Sequence, residues 1–492
     1  MGNNKTIVIG SGFSSLSAAA VLAKAGKDVT VLEKNDGLGG RARVFHADGF
    51  TFDMGPSWYW MPEVFEQFFN RFGHTASDYY QLVRLDPSYR VVFGKDDFID
   101  IPADFDKLCQ IFEGIESGSA VKLRKFMDEA AYKYKVGINE FVWKPSLSIL
   151  EFADLRILKS MFGLQMFSSI AAEIRSKFQN EKLRKILEFP VLFLGATPEN
   201  TPALYSLMNY ADLKLGTWYP IGGMHKIIEG FVQVCKEQGV KFETNAEVAN
   251  FDYQNGEVSR VHCKDGRSFE CDAVVSGADY EHIDQKVTDP AYRNYSEAYW
   301  DKRVMAPSSL LFYLGYNRKI PLIKHHTLYF DEDFAVHADE IYTNPKWPTK
   351  PLFYICAPSV TDQSVAPDGA ENLFVLIPTA PNLLNDDEAI REKYFEIVVQ
   401  RVKSIFGIDL KDGLVYRRSY CTSDFIKDYH AFRGNAYGLA NTLLQTAFLK
   451  PRVKSKKCKN LYFVGQLTAP GPGMPPSIIS GQMVADLLLK EG

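Results

Sequence analysis

The chain has 492 residues, enough for two or three domains that each bury a core. Hydrophobic residues at 46% and charged residues at 24% are ordinary globular usage, which excludes a disordered or fibrous chain. A formal net charge of -4 offers no basic stripe, so no nucleic-acid partner is expected.

The first residues carry no basic region followed by an apolar stretch of signal-peptide length. Gly2 and Thr6 match the spacing of a myristoylation signal, but a strand starting at Lys5 or Thr6 leaves no free arm for a lipid, so the match reads as coincidence. Residues 5 to 34, KTIVIGSGFSSLSAAAVLAKAGKDVTVLEK, parse as a strand (6–9), a glycine turn, a helix (14–25), a stop at Gly26 and a second strand (28–33). β-Branched Thr, Ile and Val favour the strands and the Ala/Leu run favours the helix, giving a βαβ dinucleotide unit. Gly10 lets the chain turn sharply, and Gly12, between Ser11 and Phe13-Ser14, keeps the backbone clear for a pyrophosphate at the helix N-terminus. Glu33, followed by Lys34, ends the second strand about 20 residues further on, where a carboxylate accepts hydrogen bonds from a ribose. The third fingerprint glycine is replaced by Ser15, small enough for close helix-to-strand packing.

Directly after comes NDGLGGRARVFHADGFTFDMGPSWYW, a second glycine cluster with Gly39, Gly40 and Arg41. A nicotinamide enzyme has no need of it, whereas FAD must carry its flavin onward from the pyrophosphate, and the cation of Arg41 offsets phosphate charge. Met54, Gly55, Pro56 and Ser57 close this segment, and Trp58, Tyr59 and Trp60 are candidates to line a substrate tunnel, with ordinary packing as probable for each.

Residues 106–219 read as a helical insert. Leu158, Met161, Phe162, Met166, Phe167 and Ile170 fall near helical spacing, and ILEFPVLFLG follows at 186–195. Most such stripes are core, yet the insert is greasy enough to be the expected docking region in one bilayer leaflet. No apolar run approaches the ~20 residues that cross a bilayer. A peripheral protein on the cytoplasmic face of the membrane is the expectation. Further on, an amphipathic helix (224–238), Gly239, a strand and Val248 precede the run 273–279, which contains Gly277 and rejoins the dinucleotide sheet.

Seven scattered cysteines without a C-x-x-C pair fit reduced thiols rather than disulfides or a zinc site. The adjacent His325 and His326 are expected to face opposite ways, so no metal is expected. The C-terminal segment KNLYFVGQLTAPGPGMPPSIISGQMVADLLL gives a strand (461–464), Gly465-Gln466, a Gly/Pro loop and a helix opened by Pro475 and Pro476. Its positive dipole end faces whatever the loop holds.

These motifs resemble the FAD superfamily that includes amine oxidases, protoporphyrinogen oxidase and phytoene-desaturase-type carotenoid desaturases. Gly39-Gly40-Arg41 matches its G-G-R motif, and Asp53, Gly55 and Pro56 match its D-x-G-P segment. The resemblance implies an α/β flavoprotein: a Rossmann-like FAD domain (1–75, 220–285 and 445–492), a mixed-sheet substrate domain (76–105 and 286–444) and the helical insert (106–219). It implies that Val248 lies on the excursion to the adenine and that Gly473 and Met474 meet the pyrimidine edge of the isoalloxazine. Gln466 departs from the Gly-Asp common in the superfamily, and binds a ribityl or phosphate oxygen without added charge.

PSSLLFYLG (307–315), HAFRGNAYGLANTLLQTA (430–447) and the tail GQLTAPGPGMPPSIISG resemble bacterial carotenoid desaturases, the tail most of all the branch that desaturates hydroxylated carotenoids at the 3,4 position. The implied partners are a carotenoid or similar polyene, a membrane surface and an electron acceptor, oxygen or a quinone. No motif marks a catalytic acid or base. The competing readings are an amine or porphyrin oxidase of the same fold and a non-catalytic prenyl-lipid escort protein.

Overall fold

A computed structural model of the chain describes residues 5–138, 142–145, 168–442, 445–446 and 449–491, without the side chains of 192–194. Its first layer is a five-stranded, wholly parallel sheet in the order Leu461–Phe463, Ala273–Ser276, Lys5–Ile9, Asp28–Leu32, Lys241–Glu243. Ile7, Val8, Val31, Val274 and Val275 are buried to 3% exposure or less, as expected of a parallel sheet covered on both faces. Strands from the beginning, middle and end of the chain thus share one sheet, and main-chain hydrogen bonds hold the tail to strand Ala273–Ser276, which pairs in turn with the N-terminal strand.

Helix Phe13–Lys24 packs along this sheet and against the C-terminal helix Met474–Glu491. Their contact face is made of Ser, Ala and Gly. A Cβ on Gly481 would stand 2.1 Å from Ser14 O, so only glycine permits the approach. The absent fingerprint glycine at Ser15 has a counterpart here: a Cβ on Gly277 would sit 2.1 Å from Ser15 Oγ, so the space is surrendered by the strand rather than the helix.

A second, seven-stranded mixed sheet runs Leu414–Tyr420, Ser308–Tyr316, Glu371–Thr379, Phe353–Cys356, His326–Tyr329, Tyr89–Gly94, Asp97–Ile101. All its pairings are antiparallel except that of His326–Tyr329 with Tyr89–Gly94. Strand Ser308–Tyr316 is buried on both faces. Leu310, Phe312 and Leu314 pack with helix Glu388–Phe406, while Leu311 and Tyr313 face the main core. Smaller sheets pair Val248–Gln254 with Glu257–Cys263 and Leu82–Arg84 with Trp218–Pro220.

The insert contributes helices Phe105–Ile115, Ser119–Val136, Ile170–Lys177 and Glu181–Glu188. A buried Lys133–Glu173 ion pair at 2.9 Å joins two of them. The apolar positions at 158, 161, 162, 166 and 167 lie outside the described residues. Within the run at 186–195, Ile186, Leu187, Phe189 and Val191 are exposed by 1% or less and belong to the main core, so these four offer no surface to a membrane. Their density of apolar side chains reflects burial on every side. Among the described residues no helix is long and apolar enough to cross a membrane.

Candidate active site

The site begins where strand Lys5–Ile9 ends. Gly10 turns at φ +86°, and nothing lies within 4 Å of where a Cβ on Gly12 would be, because that position opens into a cavity. The second glycine loop closes on the first: Gly39 N donates to Ser11 Oγ at 3.0 Å, and a Cβ on Gly40 (φ +55°) would stand 3.2 Å from Gly12 Cα. The two loops interlock backbone to backbone, leaving N–H groups and the start of helix Phe13–Lys24 at the cavity wall.

Glu33 is buried at the end of the second strand and lines the same cavity. Its Oε2 accepts from Ser11 N at 3.0 Å and Ser11 Oγ at 2.6 Å, and its Oε1 from Asn35 N at 2.9 Å and Asn35 Nδ2 at 3.0 Å. Each carboxylate oxygen therefore already takes two bonds, its ordinary capacity. A ribose hydroxyl reaching Glu33 has to replace a side-chain donor of Ser11 or Asn35.

Arg41 is half-buried and lines the cavity. Burial pulls its guanidinium below the ordinary value, and Asp279 opposes that shift. Its Nη2 donates to Asn435 O at 3.4 Å, and with the Gln466 amide oriented oxygen-inward, Gln466 accepts from Nη2 at 3.0 Å. Arg41 Nε has no hydrogen-bond partner among the described residues, which fits a cation reserved for an anionic group. Nearby, His282 and His430 stack at 3.9 Å, and His430 Nε2 meets Glu247 Oε1 at 2.7 Å. Burial, then the neighbouring His430, pushes His282 down to about 3, so it stands as a neutral ring at neutral pH.

From the other end of the chain, Gly465 N donates to Ser480 Oγ at 3.0 Å, tying the loop to the C-terminal helix. Gly473 (φ +111°) turns the chain into Met474, so the N-terminus of an 18-residue helix opens at the cavity. Unpaired N–H groups and the helix dipole there favour negative charge.

Every residue assigned to the cofactor from the sequence lines this one cavity of about 390 Å³: Gly10 to Ser14, Glu33, Lys34, Gly39 to Arg41, Met54 to Ser57, Val248, Gly277, Gly465, Gln466 and Gly473 to Pro475. Trp58 and Trp60 line it as well. Tyr59 does not: it is fully buried, stacks on Phe65 at 4.3 Å and bonds Tyr80 Oη at 2.9 Å, because alternation along the segment turns it to the opposite side. Sequence reasoning missed the opposite wall, where Ser309 and Leu311 and, from neighbouring strands, Tyr354, Phe374 and Leu376 face the cavity. The signal was present in PSSLLFYLG, whose alternation places Ser309 and Leu311 on one face.

Residues 13–489 match the family described as flavin containing amine oxidoreductase. The chain is 42% identical over 485 residues to a carotenoid 3,4-desaturase of Haloarcula japonica, covering 98% of each chain. It is 31% identical over 490 residues to a zeta-carotene-forming phytoene desaturase of Myxococcus xanthus, covering 99% of this chain and 94% of that one. The structure of cyclohexylamine oxidase from Brevibacterium oxydans has the same fold, with a TM-score of 0.61 at 14% identity over 100% of this chain and 99% of that one. The chain belongs to the flavin-containing amine oxidoreductase family, with FAD as its cofactor.

Proposed function

We propose that this protein desaturates a long polyene, a hydroxylated carotenoid at its 3,4 position, with FAD held between the two glycine loops and the C-terminal helix. The observation that carries the reading is the 42% identity to a carotenoid 3,4-desaturase over 98% of both chains. Support also comes from the cavity, which joins glycine loops and Arg41 to an apolar wall of Trp58, Trp60, Leu311, Phe374 and Leu376.

FAD supplies the hydride acceptor. Two hydrogens leave adjacent carbons, one as hydride and one as a proton, and the electron pair of the second C–H bond becomes the new double bond. The polyene itself delocalises the charge that develops, so the chain's part is positioning and exclusion of water. Trp58, Trp60 and the strand face of Leu311 and Leu376 hold the chain of the substrate and keep the reacting carbons dry. Gly473 and Met474, at the N-terminus of the C-terminal helix, would hold the flavin, and their backbone N–H groups would favour negative charge on it. Arg41 offsets phosphate charge, and Glu33 holds the first loop in shape through Ser11.

The reading extends to where the substrate is met. A polyene is delivered by a lipid phase, so peripheral contact with the cytoplasmic face of a membrane belongs to the proposal. Exposed Val121 and Tyr132 share one face of helix Ser119–Val136 with Lys125, Asp128 and Lys135, an apolar pair flanked by two lysines and one carboxylate that could meet the interface. Oxygen or a quinone would serve as the final electron acceptor. The test is incubation of the holoprotein with 3,4-saturated hydroxycarotenoid in vesicles, with either acceptor. The expected product is lighter by two hydrogens with a red-shifted spectrum, and unchanged carotenoid with both acceptors contradicts the proposal.

A further inference from the structure

Behind the apolar wall lies a cluster that flavin chemistry does not use. Strand His326–Tyr329 pairs with Phe353–Cys356 so that His326 stands directly across from Cys356. The expectation that His325 and His326 diverge is corrected here. His325 precedes the strand and escapes its alternation, and the two rings lie 4.5 Å apart. One nitrogen of each ring and Cys356 Sγ lie within 4.8 Å of one another. The three residues are exposed by 4%, 0% and 2%.

Both rings are already oriented. His325 Nδ1 is bonded to Thr361 Oγ1 at 2.7 Å, and His326 Nδ1 to Tyr354 Oη at 2.6 Å. Trp58 stacks on His326 at 4.1 Å, nearly parallel. That leaves Nε2 of each ring, and both are buried without a hydrogen-bond partner among the described residues. Two orphaned imidazole nitrogens beside a buried thiol are costly in a core, where polar atoms are normally satisfied. A metal-binding histidine ordinarily has its other ring nitrogen fixed by a hydrogen bond, and here two hydroxyls do the fixing.

We propose that His325 Nε2, His326 Nε2 and Cys356 Sγ form a buried site for a thiophilic d10 cation, zinc(II) or copper(I). Bonds of about 2.0 Å to nitrogen and about 2.3 Å to sulfur require a modest inward movement of the ligand atoms. Imidazole and thiolate select these ions over magnesium or calcium, which prefer oxygen. On binding, the thiol proton is released and the thiolate neutralises copper(I) fully or zinc(II) in part. Asp362 and Asp53, the carboxylates that act electrostatically on His325 and Cys356, complement the remaining charge. Tyr354 Oη also donates to Ser57 Oγ at 3.0 Å, so the ion would brace the cavity wall through His326, Tyr354 and Ser57.

The test is elemental analysis of tag-free holoprotein from cells grown with added zinc or copper, after dialysis against chelator. Near-stoichiometric zinc or copper is expected, with near-complete loss in Cys356→Ser and in His326→Gln, and a loss of affinity of only about tenfold in Thr361→Val, whose hydroxyl orients His325. Flavin content and circular dichroism check that the variants fold. If they do not, wild-type protein grown with cobalt(II) provides the reading: a thiolate-to-cobalt absorption band is expected. Wild-type protein that retains neither ion and shows no such band overturns the site, as does a folded Cys356→Ser variant that keeps its metal.

Discussion

The nucleotide end and the polyene end of one cavity are built on opposite principles. At the first, side chains are excluded: Gly10, Gly12, Gly40 and Gly277 let backbone meet backbone or leave the cavity open. At the second, side chains are the wall: Trp60, Leu311, Phe374 and Leu376 face the cavity with apolar surface. A region that works through absent side chains tolerates almost nothing, whereas a region that works through apolar shape is tuned by volume. Substitutions at the two ends should therefore fail in different ways.

The largest effect is expected where exclusion is tightest. Gly481→Val would force a side chain into Ser14 O and separate the C-terminal helix from helix Phe13–Lys24. A loss of about 3 kcal/mol or more is predicted, read as a lower Tm together with lost flavin. A near-normal Tm would show that the two chain ends are not locked there.

Next comes a buried acid on the polyene side. Asp212 accepts from Tyr89 Oη at 2.7 Å and from Thr217 Oγ1 at 3.4 Å, and Thr217 also accepts from Trp60 Nε1 at 2.9 Å. Burial pushes its carboxyl up to about 7. The folded state holds this proton more tightly than the unfolded state, so stability falls as pH rises from the unfolded value toward 7 and levels off above it. Between about pH 5 and about pH 8 the wild type should lose about 2 kcal/mol relative to Asp212→Asn. Parallel stability curves for the two proteins would remove Asp212 as a titrating group.

Smaller effects separate the ends cleanly. At Gly12 the added side chain meets only the cavity, so Gly12→Val should leave the fold intact and weaken FAD binding by tenfold or more, about 1.4 kcal/mol. Leu376→Trp should do the reverse. It narrows the tunnel, retains flavin and lowers kcat/KM for the carotenoid by about tenfold. Flavin content and turnover measured on the same two preparations check both. Loss of flavin in Leu376→Trp would erase the distinction.

The difference also explains what the sequence revealed. Glycines at sharp turns have few other uses, so the strand, turn and helix at 5–34, the second loop and the C-terminal Gly/Pro segment could be read before any fold was known. Their side of the cavity was legible residue by residue. The opposite wall was hidden because Leu311 and Phe374 look the same in sequence whether they face a substrate or a core. The same ambiguity covers 186–195, where Ile186, Leu187, Phe189 and Val191 are interior. Tyr59, between two cavity-lining tryptophans, shows that proximity in a motif does not fix which way a side chain faces. His325, His326 and Cys356 were invisible together because their meeting depends on the pairing of two strands, which no local pattern announces.

The central claim is that the two ends of the chain hold one flavin against one polyene. Anaerobic mixing of the oxidised holoprotein with vesicles of hydroxycarotenoid tests it in a single turnover. The account predicts bleaching of the flavin absorption at the rate at which the longer-wavelength carotenoid appears. Flavin that stays oxidised with this substrate, while remaining reducible by dithionite, would contradict it.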